Sequence, residues 1–341
     1  MEPRENIKNL KPYTSARDLV KEEDLIFLDA NENPFDNDLN RYPDPHQSEL
    51  KEALGNWLKI NPEQIFAGNG SDEVIDLAIR AYTRPGRDRI ITLGPTYSMY
   101  EVQAAIQDVE VKEILLDSDF QPDTEKIFSE VTPQDKILFI CSPNNPTGNL
   151  MERQRIIPLV ENFDGLVFVD EAYVDFAPEG SVMDLVEKYP NLLISRTFSK
   201  AMGMAGIRLG LGIANPEIIK TLSKIKYPYN INRLTQQAAL QALNDLSYYR
   251  EQIRTVVKER EKLRIRMEHL SFVKQIFPSD ANFVLMEVKD AASLVKFLRD
   301  NGIVIRDRSD VVAGKELVRV TVGTPQQNKQ LIEELKNFDN G

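Results

Sequence analysis

The chain has 341 residues, 42% of them hydrophobic, and a formal net charge of −11 at pH 7. That length suits one large domain plus a smaller one, and the acidic balance excludes a surface built to hold nucleic acid or anionic membrane. Cys141 is the one cysteine and His46 and His269 the two histidines, so an internal disulfide and a multi-histidine metal site are excluded and a reducing cytoplasm is the expected compartment.

The first residues, "MEPRENIKNLKPYTSARDL", are charged and lack the apolar core of a signal peptide. No apolar run approaches the ~20 residues of a membrane helix. Residues 1–45, rich in Asn, Asp and Pro ("DANENPFDNDLNRYPDP"), read as an irregular arm. From "HQSELKEALGNWL" onward, helical patterns alternate with short apolar runs: "RIITLG", "KILFICSP", "GLVFVDEA", "NLLISRTFS" and "LGLGIA". That alternation predicts βαβ units around a mostly parallel sheet, an α/β fold, over residues 46–245. The stretch "RLTQQAALQALNDLSYYREQIRTVVKEREKLRIRMEHL" reads as a long helical connector with a break near "NDLS", its "KEREKLRIR" run forming a solvated face. Residues 246–341 then read as a small α+β domain, with "NFVLMEV", "GIVIRD" and "LVRVTVG" as strands and "AASLVKFLRDN" as a helix.

Four segments carry chemistry. In "AGNGSDEVIDLAIRAY" a Gly-rich turn opens an apolar-periodic helix. Backbone N–H groups there favour an anion such as phosphate, although Ser71 or Asp72 can equally act as an ordinary cap. In "CSPNNPTGN" a strand enters a turn where Asn145, fixed by Pro146, can present its amide to a ligand, or the Asn side chains can bond the local backbone. In "GLVFVDEAYVDF" an apolar strand ends in Asp170, Glu171, Ala172 and Tyr173, at the strand end where ligands of open α/β sheets sit. In "RTFSKAMGMAGIRLG" Lys200 offers an amine that can form a Schiff base with an aldehyde, Thr197 and Ser199 offer hydroxyls, and Arg208 offers a phosphate clamp. Each segment alone has a bland reading as a turn, a cap or a surface loop. Together they supply the groups that pyridoxal phosphate needs.

On those motifs the sequence resembles the fold-type I pyridoxal phosphate enzymes of the aspartate aminotransferase superfamily: "SPNNPTG", "DEAY", "SK" and "GIRLG" are superfamily-wide. "LDANENPF", "LNRYPDP", "GNGSDE", "PTYSMY", "VIRDR" and "VRVTVGT" look most like the histidinol-phosphate aminotransferase group. The resemblance implies a large cofactor-binding domain and a small α+β domain, with the arm contributing to the small domain and to a dimer contact. It implies that Lys200 links covalently to the cofactor and shuttles the reaction's proton, and that Asp170 pairs with the ring nitrogen. Tyr173 and Asn145 then bond the ring oxygen, and Tyr97 stacks on the ring. Gly70, Ser71, Asp72, Thr197, Ser199 and Arg208 surround the cofactor phosphate. It further implies that Arg306 and Arg319 bind the substrate's anionic end, that Tyr13 closes over it, and that Tyr42 reaches the neighbouring site of a homodimer with shared active sites. The implied substrates are histidinol phosphate and glutamate with their oxo partners, and no metal is implied. Aromatic amino acid transamination and threonine-phosphate decarboxylation are the alternatives on this scaffold. A DNA-binding regulator would need a module for which the arm is too short. Cys141 and Trp57 read as core, and His46 as a surface or capping residue.

Overall fold

A computed structural model of the protein describes residues 2–14, 25–312 and 314–340. Residues 15–17 of the arm motif "NLKPYTSAR", and Ala313 of the loop after Arg306, lie outside the described residues. In chain order the elements are α1 (Glu5–Lys8), α2 (Ser48–Leu58), β1 (Ile65–Asn69), α3 (Ser71–Tyr82), β2 (Arg89–Gly94), α4 (Met99–Ile106), β3 (Glu110–Leu115), α5 (Thr124–Glu130), β4 (Asp135–Cys141), α6 (Arg153–Asn162), β5 (Leu166–Asp170), β6 (Leu192–Thr197) and β7 (Leu209–Ala214). They continue with α7 (Pro216–Ile225), α8 (Arg233–Leu243), α9 (Leu246–Met267), β8 (Val273–Ile276), β9 (Phe283–Val288), α10 (Ala291–Asp300), β10 (Arg306–Asp307), β11 (Leu317–Thr321) and α11 (Pro325–Asn340).

The larger sheet has seven strands in the order β1-β7-β6-β5-β4-β2-β3. Strands β2 to β6 are mutually parallel where they pair, and β7 runs antiparallel to both β1 and β6. The central strands read as continuous apolar runs because both faces are covered: Leu166, Val167, Phe168 and Val169 of β5 are all fully buried. One core lies under α2 and α6, the other under α3 and α7. The sequence reading missed β1, β3 and β8. β3 lies at a sheet edge, buries only Ile114 and carries three charged residues among its six, so its pattern is too polar to stand out.

The smaller unit is a four-stranded sheet, β10-β11-β9-β8, all antiparallel, packed against α9, α10 and α11. The expected break in the long helix falls at Asn244 and Asp245. There the Asp245 carboxylate accepts from the Tyr248 N–H and restarts the helix as α9. Two charges of the "KEREKLRIR" run turn inward, contrary to a wholly solvated face: Glu259 accepts from Asn328 Nδ2 at 3.1 Å, and Arg260 Nη1 donates to the Ala281 carbonyl at 2.8 Å. Both find partners because α11 and the segment before β9 cover that side of α9. "GIVIRD" forms a strand only at Arg306 and Asp307. Ala172, Tyr173, Phe176 and Ala201 meet Ala281 and Phe283 in a small apolar cluster that joins the two units. The described arm residues rest on the larger unit: the Arg4 N–H donates to the Ala81 carbonyl at 2.8 Å, and Tyr42 stacks on Tyr229 with ring centroids 4.4 Å apart. Among the described residues no helix is long and apolar enough to cross a membrane.

Candidate active site

Because β4, β5 and β6 are parallel, their carboxyl ends fall on one side of the sheet. Register places Cys141, Asp170 and Ser195 side by side across three strands. β7 enters from that same side, so the loop from Lys200 to Arg208 leaves the end of β6 and returns to the start of β7 without leaving the sheet's edge. The result is a cavity of about 220 Å³, at whose mouth helix α3 also begins. Ser71, Asp72, Tyr97, Asn145, Asp170, Tyr173, Thr197, Ser199, Lys200, Arg208 and Arg319, eleven residues singled out from sequence, all line it. Tyr13, Tyr42 and Arg306 do not line it within this chain, and all three are exposed.

The anion end is built from backbone. Gly70 caps α3 at φ 77°, a left-handed conformation that glycine adopts freely, and a Cβ there would stand 2.6 Å from Arg208 Nη2. A Cβ on Gly210 would meet the Ser71 nitrogen at 2.1 Å, so β7 and the start of α3 approach as closely as two backbones can. The Gly70 N–H donates to the Arg208 carbonyl at 2.7 Å. Arg208 itself is held at φ 53°, a conformation disfavoured for a residue with a Cβ. Its guanidinium donates to Ser199 Oγ and to Asp72 Oδ2, each at 3.3 Å. Bonds that long keep the fork in place and leave it free to clamp a better acceptor. The first N–H groups of α3, two hydroxyls and a guanidinium make a set of donors suited to an anion such as phosphate.

At the opposite wall, Asp170 is buried and its carboxylate is fully engaged. Ser195 Oγ donates to Oδ1 at 2.7 Å, Tyr100 Oη donates to Oδ2 at 2.8 Å, and the Ala172 N–H donates to Oδ1 at 3.2 Å. Burial pushes the Asp170 pKa up, and these three donors oppose that shift. A carboxylate so presented suits a buried cationic ring nitrogen. Tyr100 was not among the residues singled out from sequence, because a tyrosine in an apolar-periodic helix reads as core. The structure makes it both: its ring stacks on Phe139 at 4.6 Å while its hydroxyl serves Asp170. Glu171, next in the chain, points away from the cavity and forms a buried ion pair with Arg196 at 2.8 Å.

Lys200 opens to the cavity with its Nζ 5.8 Å from the centre of the Tyr173 ring. Burial, then the Arg319 guanidinium, pull its ammonium below the usual lysine range, while Asp170 and Asp72 pull the other way. The balance raises the share of neutral amine, the form that attacks a carbonyl. Asn145 Nδ2 donates to Tyr173 Oη at 3.4 Å, and Arg319 Nη1 donates to Asn145 Oδ1, so a chain of three side chains crosses between the two units. Burial pushes the Tyr173 phenol up, so it stays protonated as a donor. Arg308, which was not singled out from sequence, lines the cavity too, while Arg306 stands beside Arg319 across the strands with an exposed side chain. Among the described residues no group of three or more His, Cys, Asp or Glu converges as a metal site.

Comparison with known proteins agrees with this geometry. Residues 23–335 match the family model described as aminotransferase class I and II. The chain is similar to a histidinol-phosphate aminotransferase of Flavobacterium johnsoniae, 48% identical over 98% of this chain and 96% of that one. Among solved structures it is similar to the histidinol-phosphate aminotransferase of Clostridium acetobutylicum, with TM-score 0.82 and 30% identity over 89% of this chain and 91% of that one. It is also similar to the histidinol-phosphate aminotransferase of Sinorhizobium meliloti in complex with pyridoxal-5'-phosphate, with TM-score 0.78 and 25% identity over 87% and 84% of the two chains.

Proposed function

This chain belongs to the class I and II aminotransferases, and on that premise we propose that it is the pyridoxal phosphate-dependent enzyme that exchanges an amino group between histidinol phosphate and 2-oxoglutarate. The products are imidazole-acetol phosphate and glutamate, in a step of histidine biosynthesis. The observation that carries the reading is the convergence of Lys200, Asp170, Asn145, Tyr173, Arg208 and Arg319 on one cavity, in a chain 48% identical to a histidinol-phosphate aminotransferase.

The residues fit the cofactor. The α3 start with Thr197, Ser199 and Arg208 would hold its phosphate, Asp170 its protonated ring nitrogen, Asn145 and Tyr173 its ring oxygen, and Tyr97 a ring face. Lys200 would hold it covalently through Nζ. Bound there, pyridoxal phosphate supplies an electron sink for the charge left at the substrate α-carbon. Lys200 then takes and returns the proton at that carbon, which a neutral amine in a partly dry pocket does well. Arg319, pinned by Asn145 and lying over the Phe283 ring at 5.2 Å, orients the substrate's anionic group. One guanidinium fork accepts a carboxylate or a phosphate, so both half-reactions can use it.

The test is spectroscopic. With cofactor loaded and no oxo-acid present, histidinol phosphate is expected to bleach the visible band of the holoenzyme rapidly and phenylalanine only slowly. A faster response to phenylalanine would make this an aromatic aminotransferase, and carbon dioxide release from threonine phosphate would make it a lyase.

We further propose a cytoplasmic homodimer in which Tyr42 serves the neighbouring copy's site and Tyr13 of the arm closes over the substrate. The arm supports this by presenting apolar side chains to solvent: Ile26 is 87%, Leu28 85% and Phe35 81% exposed in the single chain. Sedimentation is expected to give twice the chain mass. Mixing inactive Lys200→Ala subunits with weakened Tyr42→Phe subunits is expected to restore activity in hybrids, because one of the two sites then carries both wild-type residues. No recovery in hybrids shown to form would refute the sharing. Cell fractionation checks the compartment.

A further inference from the structure

Helix α9 carries Leu246, Tyr249, Ile253 and Val257 at helical spacing, so all four fall on one face. That face does not close on the protein. It forms one wall of a groove of about 500 Å³, with Trp57 of α2, Phe176 and Met202 on the other side. The volume falls within the roughly 300–1,000 Å³ of small-molecule sites. The groove lies at the seam of the two units: Leu246 and Tyr249 pack on the core under α2 and α6, and Ile253 and Val257 on the small cluster that joins the sheets. Three of its surfaces, Trp57, Phe176 and Tyr249, are flat rings.

Beside the apolar stripe runs a cationic one. Arg250, Arg254 and Lys258 follow each other at four-residue steps, line the same groove and are exposed. None of their side chains makes a hydrogen bond or ion pair with a described residue. Further along the same helix the cations do pair: Lys262 with Glu259 at 2.7 Å, and Arg264 with Glu261 at 3.1 Å and Glu268 at 3.3 Å. Asp175 is the one carboxylate in the groove's lining, and it already faces the Arg196 guanidinium at 3.8 Å. The three cations therefore stand uncompensated along an apolar groove, in a chain whose net charge is −11.

We propose that this groove is a binding site, separate from the catalytic cavity, for a small aromatic carboxylate. The two linings share no residue. The ligand's ring is matched by Trp57, Phe176 and Tyr249, through offset or edge contacts. Its carboxylate is matched by the guanidinium forks of Arg250 and Arg254, whose planes also stack on rings. A neutral apolar molecule would leave the cations unused, and an anion without a ring would leave the apolar walls unused. The inference stands on this geometry and is independent of the functional reading above. An occupant would touch segments that carry the chemistry: Met202 is two residues after Lys200 and Phe176 three after Tyr173, and Tyr249 Oη donates to Met204 Sδ at 4.0 Å.

Trp57 is the chain's one tryptophan, so its emission reports the groove directly. The holoenzyme, its Arg250→Gln, Arg254→Gln double variant and its Arg319→Gln variant are each titrated with 3-phenylpropionate. The wild type is also titrated with hexanoate, which lacks the ring, and with 3-phenylpropan-1-ol, which lacks the charge. A saturable change in emission is expected with 3-phenylpropionate in the wild type and, equally, in Arg319→Gln. The double variant is expected to weaken binding about tenfold or more, as loss of charged hydrogen bonds does. Hexanoate is expected to bind about threefold weaker or worse, and the alcohol about tenfold weaker. Added salt gives a measure that needs no variant, since it screens exposed cations and should weaken the carboxylate and not the alcohol. No saturable change, equal affinity in the double variant, or equal affinity for either analogue would overturn the proposal. So would a loss confined to Arg319→Gln, which would put the probe in the catalytic cavity. Emission that ignores the probe and shifts on dilution would show a second copy of the chain covering the groove, and overturns it too.

Discussion

Replacing Lys200 with alanine is expected to abolish transamination, by at least about 10⁴-fold in kcat, while leaving the fold intact. Two losses combine. The amine that would tether the cofactor disappears, and so does the group that moves the α-carbon proton, a contribution of about 10²–10⁴-fold by itself. Stability should hold because Lys200 opens to the cavity and its amine forms no hydrogen bond or ion pair with a described residue, approaching the Tyr173 ring only to 5.8 Å. Removing a desolvated, partly like-charged ammonium even relieves a local cost. Circular dichroism and thermal unfolding check the fold, and steady-state turnover checks the role. Partial recovery on adding a small primary amine, which can enter the space left by the side chain, would identify the missing group as a base. Unaided turnover at the wild-type rate would end the assignment.

The second large effect is expected at Asp170. Its carboxylate is buried beneath the cavity and receives three donors. Asp170→Asn keeps the shape and removes the charge. Taking one partner from a buried ion pair costs about 3–5 kcal/mol, which is a loss of about 10²–10⁴-fold if the protonated ring nitrogen depends on this group. The visible spectrum of the loaded variant should also move, since the ring no longer holds its proton. That readout separates electronic control from simple misfolding. A variant of normal spectrum and normal rate would show that Asp170 serves the fold alone. Tyr100 and Ser195 belong to the same network, so changes there should act on the spectrum in the same direction and more weakly.

What was legible in the sequence follows from distance along the chain. Asp170 and Tyr173 are three residues apart, Lys200 and Arg208 eight, and each group sits where a strand ends. Such residues reveal themselves because one short segment supplies both the strand and the chemistry. The sheet was legible for a related reason: buried central strands are unbroken apolar runs. The direction of β7 was not, because an apolar run reads the same whichever way the strand points. That Arg308 lines the cavity was not legible for a deeper reason. Arg306 and Arg308 stand two positions apart, β10 lasts only two residues, and the bond from the Arg308 N–H to the Leu317 carbonyl turns the chain just there. Which arginine faces the cavity is decided by that turn and by β11, which no local pattern reports. Tyr100 was hidden by its own burial, since a ring that packs well against Phe139 looks like core whether or not its hydroxyl is employed.

The distribution of site residues along the chain also sets an order of synthesis. The residues proposed to cradle the cofactor, from Gly70 to Arg208, lie before β7 ends at Ala214 and the seven-stranded sheet is complete. Arg308 and Arg319 follow about a hundred residues later. At a ribosome's ~5–20 residues per second that interval is roughly 5–20 s. For those seconds the nascent chain holds the sheet side of the cavity and neither of the arginines of its far wall.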